Sequence, residues 1–157
     1  MKLNKNNFKE TDAYGRLFFK GDLISEEGIE IEANLGTVVF EKSVITKKYI
    51  YIKAGSGIKA GEGIKAGEGI KAGWGIEAGW GIEAGWGIKA GWGIKAGWGI
   101  EAGSGIEAGW GIIILYAGLT AEWVSCLRIA VGFDSKEEKT IKAKIKTGKV
   151  ILGKVIE

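Results

Sequence analysis

The chain has 157 residues and a formal net charge of +3; 46% of it is apolar, and it holds 28 glycines, seven tryptophans, no proline and no histidine. Disordered chains pair low hydrophobicity with high net charge, so this balance argues against disorder despite the glycine excess. Collagen is excluded because glycine does not recur at every third position and proline is missing. A charge of +3 is too small to argue for nucleic acid by itself.

The opening residues, Met1 to Asn7, carry no apolar core of a signal peptide. A single cysteine, Cys126, forms no internal disulfide, which fits a reducing compartment, and a cytoplasmic protein is expected. The longest apolar run, Ile112 to Leu119, is too short to span a membrane, so no membrane partner is expected. Leu17 to Ile24 reads as strand, turn, strand. Gly28 to Glu32 and Tyr49 to Ile52 alternate apolar and polar residues, as half-buried strands do. Residues 1–51 are therefore expected to be N-terminal capping strands.

From Ile52 to Gly111 the sequence is ten consecutive copies of Ile-Lys/Glu-Ala-Gly-x-Gly, and 20 of the 28 glycines lie there. Two glycines per hexad would cost a helix about 2 kcal/mol per repeat relative to alanine. A period of two fits better: Ile and Ala share one face of a short strand and Lys/Glu takes the other. Glycine on either side of x supplies the backbone freedom for a corner. Stacked copies predict an all-β fold, a β-solenoid in which each coil pairs only with its neighbours. One continuous domain is expected, with the solenoid over 52–120.

The charged positions bear on coil length, because like charges facing one another across a sheet are destabilising. Twelve residues apart, six of eight pairs are opposite, and Lys65–Glu77–Lys89–Glu101 alternates without fault; at 18, four of seven are. Two hexads per coil is the favoured reading and a three-sided, 18-residue β-helix its rival. Tandem duplication of a two-hexad block would leave the same signature.

Beyond the repeat, Cys126 to Phe133 resembles a buried strand and residues 134–139 a charged connector. Ile141 to Ile145, a turn at Lys146 to Lys149 and a return strand from Val150 to Ile156 suggest a C-terminal hairpin. Residues 121–157 are thus expected to be a capping strand and hairpin, basic on one side and more in keeping with a solvated edge than a nucleic-acid patch.

The x position reads Ser56, Glu62, Glu68, Trp74, Trp80, Trp86, Trp92, Trp98, Ser104, Trp110. A site that takes Ser, Glu and Trp is not a packed interior position, since interiors respond to a single methylene. Exposed x side chains are expected, and on a 12-residue coil Trp74, Trp86, Trp98 and Trp110 would form one ladder with Trp80 and Trp92 opposite. Contiguous exposed aromatics mark an interaction site, and Trp is enriched among binding hot spots. The same ladder also serves a purely structural role, because indoles stack at about 0.5–1.5 kcal/mol per pair. Trp74, Trp80, Trp86, Trp92, Trp98 and Trp110 are the candidate partner-binding residues. The partner is expected to be a protein or a second copy, with a platform for sugars or nucleobases as the alternative.

No histidine means no His-based acid, base or metal ligand, and one cysteine leaves no Cys/His zinc site. Gly73-Trp74-Gly75-Ile76-Glu77-Ala78-Gly79 misses the dinucleotide-binding spacing by one residue and opens no helix. No enzyme activity, metal or cofactor is expected.

The hexad period and invariant aliphatic residue resemble the left-handed β-helix of hexapeptide-repeat acyltransferases. Those enzymes need a histidine that this chain lacks, so acyl transfer is not carried over. The block Gly-Ile-Lys-Ala-Gly-Trp-Gly-Ile-Glu-Ala-Gly-Trp-Gly, followed by Ile-Leu-Tyr-Ala-Gly-Leu, resembles glycine-rich repeat proteins of Firmicutes and their phages and prophages. That resemblance covers roughly residues 52–120 and implies a small non-enzymatic protein of a mobile element. Such proteins are often inhibitors of host defence complexes, anti-CRISPR proteins among them.

Overall fold

The structure, a computed structural model, describes residues 1–132 and 139–156. β1 (Lys2–Leu3), a 3-10 turn at Lys5–Asn7, β2 (Glu10–Thr11) and β3 (Leu17–Phe19) open the chain. β4 (Leu23–Ser25), β5 (Ile29–Ile31), β6 (Gly36–Phe40), β7 (Val44–Thr46), β8 (Ile50–Ile52) and β9 (Ser56–Ala60) follow. The seven Ile-Lys/Glu-Ala triplets from Ile64 to Ala102 are β10 to β16. β17 (Gly105–Ala108), β18 (Gly111–Ile114), β19 (Leu119–Val131), β20 (Thr140–Leu152) and β21 (Lys154–Ile156) complete the fold.

These strands stack in parallel into a β-solenoid of about seven turns. From β6 to β15 each strand pairs with the third strand before it and the third after it, so every coil has three faces. One apolar column runs up each face. On the first it is Leu23, Val44, Ile64, Ile82, Ile100, Leu119 and Ile141. The second face stacks Ile29, Ile50, Ile70, Ile88, Ile106 and Val124, and the third Val38, Ile58, Ile76, Ile94, Ile112 and Ile129.

Through the repeat the register steps from Ile64 to Ile82 to Ile100, three hexads per coil, so the three-sided coil replaces the favoured two-hexad one. The charges misled because they contribute little. Lys59–Glu77, Lys65–Glu83 and Lys89–Glu107 form ion pairs of 3.0, 2.8 and 2.8 Å between neighbouring coils. Lys71 nevertheless faces Lys89, and Glu83 faces Glu101. Exposed pairs are worth about 0–1 kcal/mol each, whereas burying one isoleucine is worth about 1.5–3 kcal/mol. From Ile58 to Ala108 each full coil buries three Ile and three Ala, none more than 4% exposed. Interior packing sets the coil and the surface charges follow it.

The winding also runs past both ends of the repeat. The coils from Leu23 to Val44 and from Val44 to Ile64, the second of which takes in the first two hexads, carry the first-face column and are longer than three hexads. The extra residues sit in wider corners, where Asn34, Gly36 and Gly55 adopt positive φ. The N-terminal end is covered by Phe8, whose ring meets Phe40 edge-on at 6.0 Å, and by an antiparallel pairing of β2 with β3. After the repeat, β19 winds across all three faces in one 13-residue strand, pairing in turn with β16, β17 and β18.

The expected C-terminal hairpin is not formed: β20 lies parallel to both β19 and β21. Gly148, at φ 118°, sits in the middle of β20, where the chain bends around the tube instead of reversing on itself. A parallel coil keeps Ile141 and Ala143 buried beneath the last turn. The strand expected over Cys126 to Phe133 is the last part of β19, with Phe133 outside the described residues. The connector expected over 134–139 also lies outside them, apart from Lys139. Cys126 is buried, its thiol donates to the Arg128 carbonyl at 3.3 Å, and burial raises its pKa by disfavouring the thiolate. Among the described residues no helix is long and apolar enough to cross a membrane.

Candidate functional site: the aromatic corners

From Trp74 to Trp110 every corner is built by the same backbone bond. The x-position N–H donates to the carbonyl of the x residue one coil earlier: Trp80 to Glu62 at 3.1 Å, Trp86 to Glu68 at 3.1 Å, Trp98 to Trp80 at 3.0 Å, Ser104 to Trp86 at 2.9 Å. The bond is the same whether the side chain is Ser, Glu or Trp, so the turn itself sets no requirement on x.

The two flanking glycines have different tasks. None of the repeat glycines after Gly55 has a positive φ, so conformational freedom, expected from the sequence, is not the reason for them. The glycine before x is demanded by close approach: a Cβ on Gly79, Gly85 or Gly91 would collide with the carbonyl oxygen of Gly61, Gly67 or Gly73 beneath it. The glycine after x is less confined. A Cβ on Gly63 or Gly81 would lie 3.6 or 3.4 Å from the nearest backbone oxygen. Its missing side chain leaves a bare row on each face beside the corner.

A three-hexad coil sorts the tryptophans into three columns instead of the two ladders expected. Trp74, Trp92 and Trp110 stand above Ser56 on the corner between the second and third faces. Trp80 and Trp98 stand above Glu62 on the next corner, and Trp86 lies between Glu68 and Ser104 on the last. Trp80, Trp86, Trp92, Trp98 and Trp110 are each 60–71% exposed, and Trp74 39%. The expectation of outward x side chains therefore holds for all six, and fails at Ser56. Ser56 is fully buried; its hydroxyl donates to the Glu32 carbonyl at 2.7 Å and accepts from Leu35 N–H at 2.9 Å.

Self-stacking occupies only part of the indole surface. Trp74 and Trp92 stack with centroids 5.9 Å apart at 25°, and Trp98 meets Tyr116 at 6.3 Å and 50°. The Tyr116 contact escapes the hexad pattern because the corner after Ile114 is longer than the others. The pattern also misses Trp123, which lies outside the repeat. It is half-buried, its ring covers Gly105, and the Lys146 ammonium sits 3.8 Å from the ring centroid.

Among the described residues no three or more His, Cys, Asp or Glu side chains gather where they could hold a metal ion. No protein-family model, curated protein or solved structure matches the chain.

Proposed function

We propose that this protein is a non-enzymatic binding scaffold whose aromatic corners seat on a protein partner. The observation that carries this reading is that Glu62, Glu68 and Ser104 turn the same corners as the tryptophans, through the same backbone bonds. The fold has no need of tryptophan there, yet five indoles stand 60–71% exposed. Each large aromatic removes about 150–250 Å² from water when covered, and Trp is typical of interface hot spots. The column Trp74–Trp92–Trp110 supplies three such anchors in line, with exposed Leu127 bonded through its N–H to the Trp110 carbonyl just beyond.

The resemblance of the repeat to proteins of Firmicutes phages and prophages supplies the partner class to test first, a host defence complex of the CRISPR effector kind. The experiment is a pull-down of purified effector complexes and of host lysate with the wild-type protein and with a Trp74→Ser/Trp92→Ser/Trp110→Ser variant. A partner captured by the wild type and lost by the folded variant supports the reading. Retrieval of nothing but the protein itself refutes it and leaves self-assembly.

A further inference from the structure

The two ends of the tube are finished differently. At the start, Phe8 is buried against Phe40, β1 lies on β5, and β2 pairs antiparallel along β3. At the other end the three inward columns finish in Val155, Ile145 and Val150, in register with Ile141, Val124 and Ile129. Val155 is 38% exposed, and Ile145 and Val150 are only partly buried. The backbone is open there as well. β21 pairs with β20 at Thr140 to Lys142, and among the described residues nothing pairs with the far edge of β20 from Lys144 to Leu152.

Three properties of this edge select what docks on it. Unpaired strand N–H and C=O groups are a template for another strand. The half-covered column ends call for apolar side chains pointing inward at alternate positions. The outward side is basic, since residues 139–156 hold six lysines and no acidic residue. Lys144, Lys146 and Lys149 stand exposed along the open edge, and among the described residues none of the three is in an ion pair. Within the tube, outward lysines are met by glutamates of the next coil, as in Lys59–Glu77 and Lys89–Glu107. A second copy does not answer this description: its own open edge repeats the lysines, and at its other end Phe8 and β2 stand in the way. A nucleic acid would use the lysines and leave the backbone edge and the apolar column ends uncovered.

We propose that the open edge of β20 takes an extended segment of a partner protein that alternates apolar and acidic residues, added as one more strand across the second and third faces. Gly148, at φ 118°, bends β20 between those faces, so the incoming segment needs glycine at the same corner. Residues 100–108, Ile-Glu-Ala-Gly-Ser-Gly-Ile-Glu-Ala, cross two faces in this way within the tube itself, as β16, a corner and β17. The site is separate from the Trp74–Trp92–Trp110 corner and does not rest on it.

The test titrates the full chain, isotope-labelled, with a synthetic peptide of that sequence, following amide NMR shifts. The same peptide with lysine for both glutamates, and heparin, are titrated in parallel. The expected result is saturable binding of the glutamate peptide, with shifts and slowed amide exchange centred on Lys144 to Leu152. A Lys144→Glu/Lys149→Glu variant should bind that peptide roughly tenfold more weakly, the loss of two cross-strand charge pairs, and should take up the lysine peptide instead. Thermal unfolding confirms that the variant is folded; should it unfold, Lys144→Gln/Lys149→Gln replaces it, with weakened binding expected. The Trp74→Ser/Trp92→Ser/Trp110→Ser variant should bind the glutamate peptide as the wild type does, which keeps the two sites distinguishable. Absence of saturable binding, equal binding of the lysine peptide by the wild type, binding of heparin alone, or shifts centred elsewhere on the tube overturns the proposal.

Discussion

The coils before residue 64 and those from 64 to 111 build the same three-faced tube by different means. In the early coils the turn is longer than three hexads, and the interior mixes Leu23, Val44, Val38 and Phe40 with isoleucine. Their corners are tied by ion pairs, Glu26–Lys47 and Glu27–Lys48, and by the Thr46 hydroxyl donating to the Glu27 carbonyl at 2.7 Å. In the repeat each turn is three hexads, the interior is Ile and Ala alone, and the corners carry tryptophan. The architecture therefore tolerates changes of corner length and corner chemistry, provided that the inward columns stay apolar and in register. Tryptophan at the corners is an addition to the fold.

The comparison can be broken most forcefully at the glycine before x. Gly85→Ala drives a Cβ into the Gly67 carbonyl and should cost about 3 kcal/mol or more, while Gly81→Ala, with 3.4 Å of room, should cost about 1 kcal/mol or less. Urea unfolding of the two variants measures the difference; equal losses would remove close approach as the reason for the first glycine. Ile82→Ala comes next, at about 2–5 kcal/mol, from a cavity walled by a column that relaxes poorly. Val44→Ala, one column step into the longer coils, should cost less, because valine leaves the smaller void.

Corner substitutions should barely move stability. Trp80→Glu copies the Glu62 corner directly beneath it and should shift unfolding by about 1 kcal/mol or less, since little of the indole is buried. A larger loss would show that the aromatic corners hold the coils together. Glu101→Lys turns the like pair with Glu83 into an opposite one; it should stabilise by a few tenths of a kcal/mol, about the value of one cross-strand pair, and the gain should vanish in high salt.

Acid should separate the two regions without a large change in global stability. Hydrogen bonding to Arg16 holds the Asp12 carboxyl below its usual range, and hydrogen bonding to Lys48 does the same for Glu27. A carboxylate lowered in the folded state stabilises above its unfolded pKa, and that contribution is lost as pH falls through the folded value. Amide hydrogen exchange in the first two coils should therefore rise on acidification below the ordinary carboxylate range while β11 to β15 stay protected. Uniform loosening would contradict this.

Much of the fold was legible because its rules are local. Alternation within Ile-Lys/Glu-Ala settles which side chains face inward, and each triplet from Ile64 to Ala102 is a strand with those residues buried. The outward direction of the tryptophans followed from the chemical variety at x. Coil length was not legible in the charges, since Lys71–Lys89 and Glu83–Glu101 show that exposed like pairs are cheap enough to keep. The end of the chain misled for a related reason. A lysine-rich alternating segment followed by Lys-Thr-Gly-Lys has the local marks of a hairpin, and only the open edge of β19 makes a further parallel coil the better partner.

The sequence by itself determined a stacked β architecture, an Ile–Ala interior and tryptophans directed to solvent, because a period of two and the absence of any side chain at glycine act within a few residues. The tertiary structure decided the three-sided coil, the sorting of the tryptophans into three corners and the placing of the Trp123 ring over Gly105. Those depend on which residues come to lie three hexads apart in sequence and one strand step apart in space, and interior packing settles that.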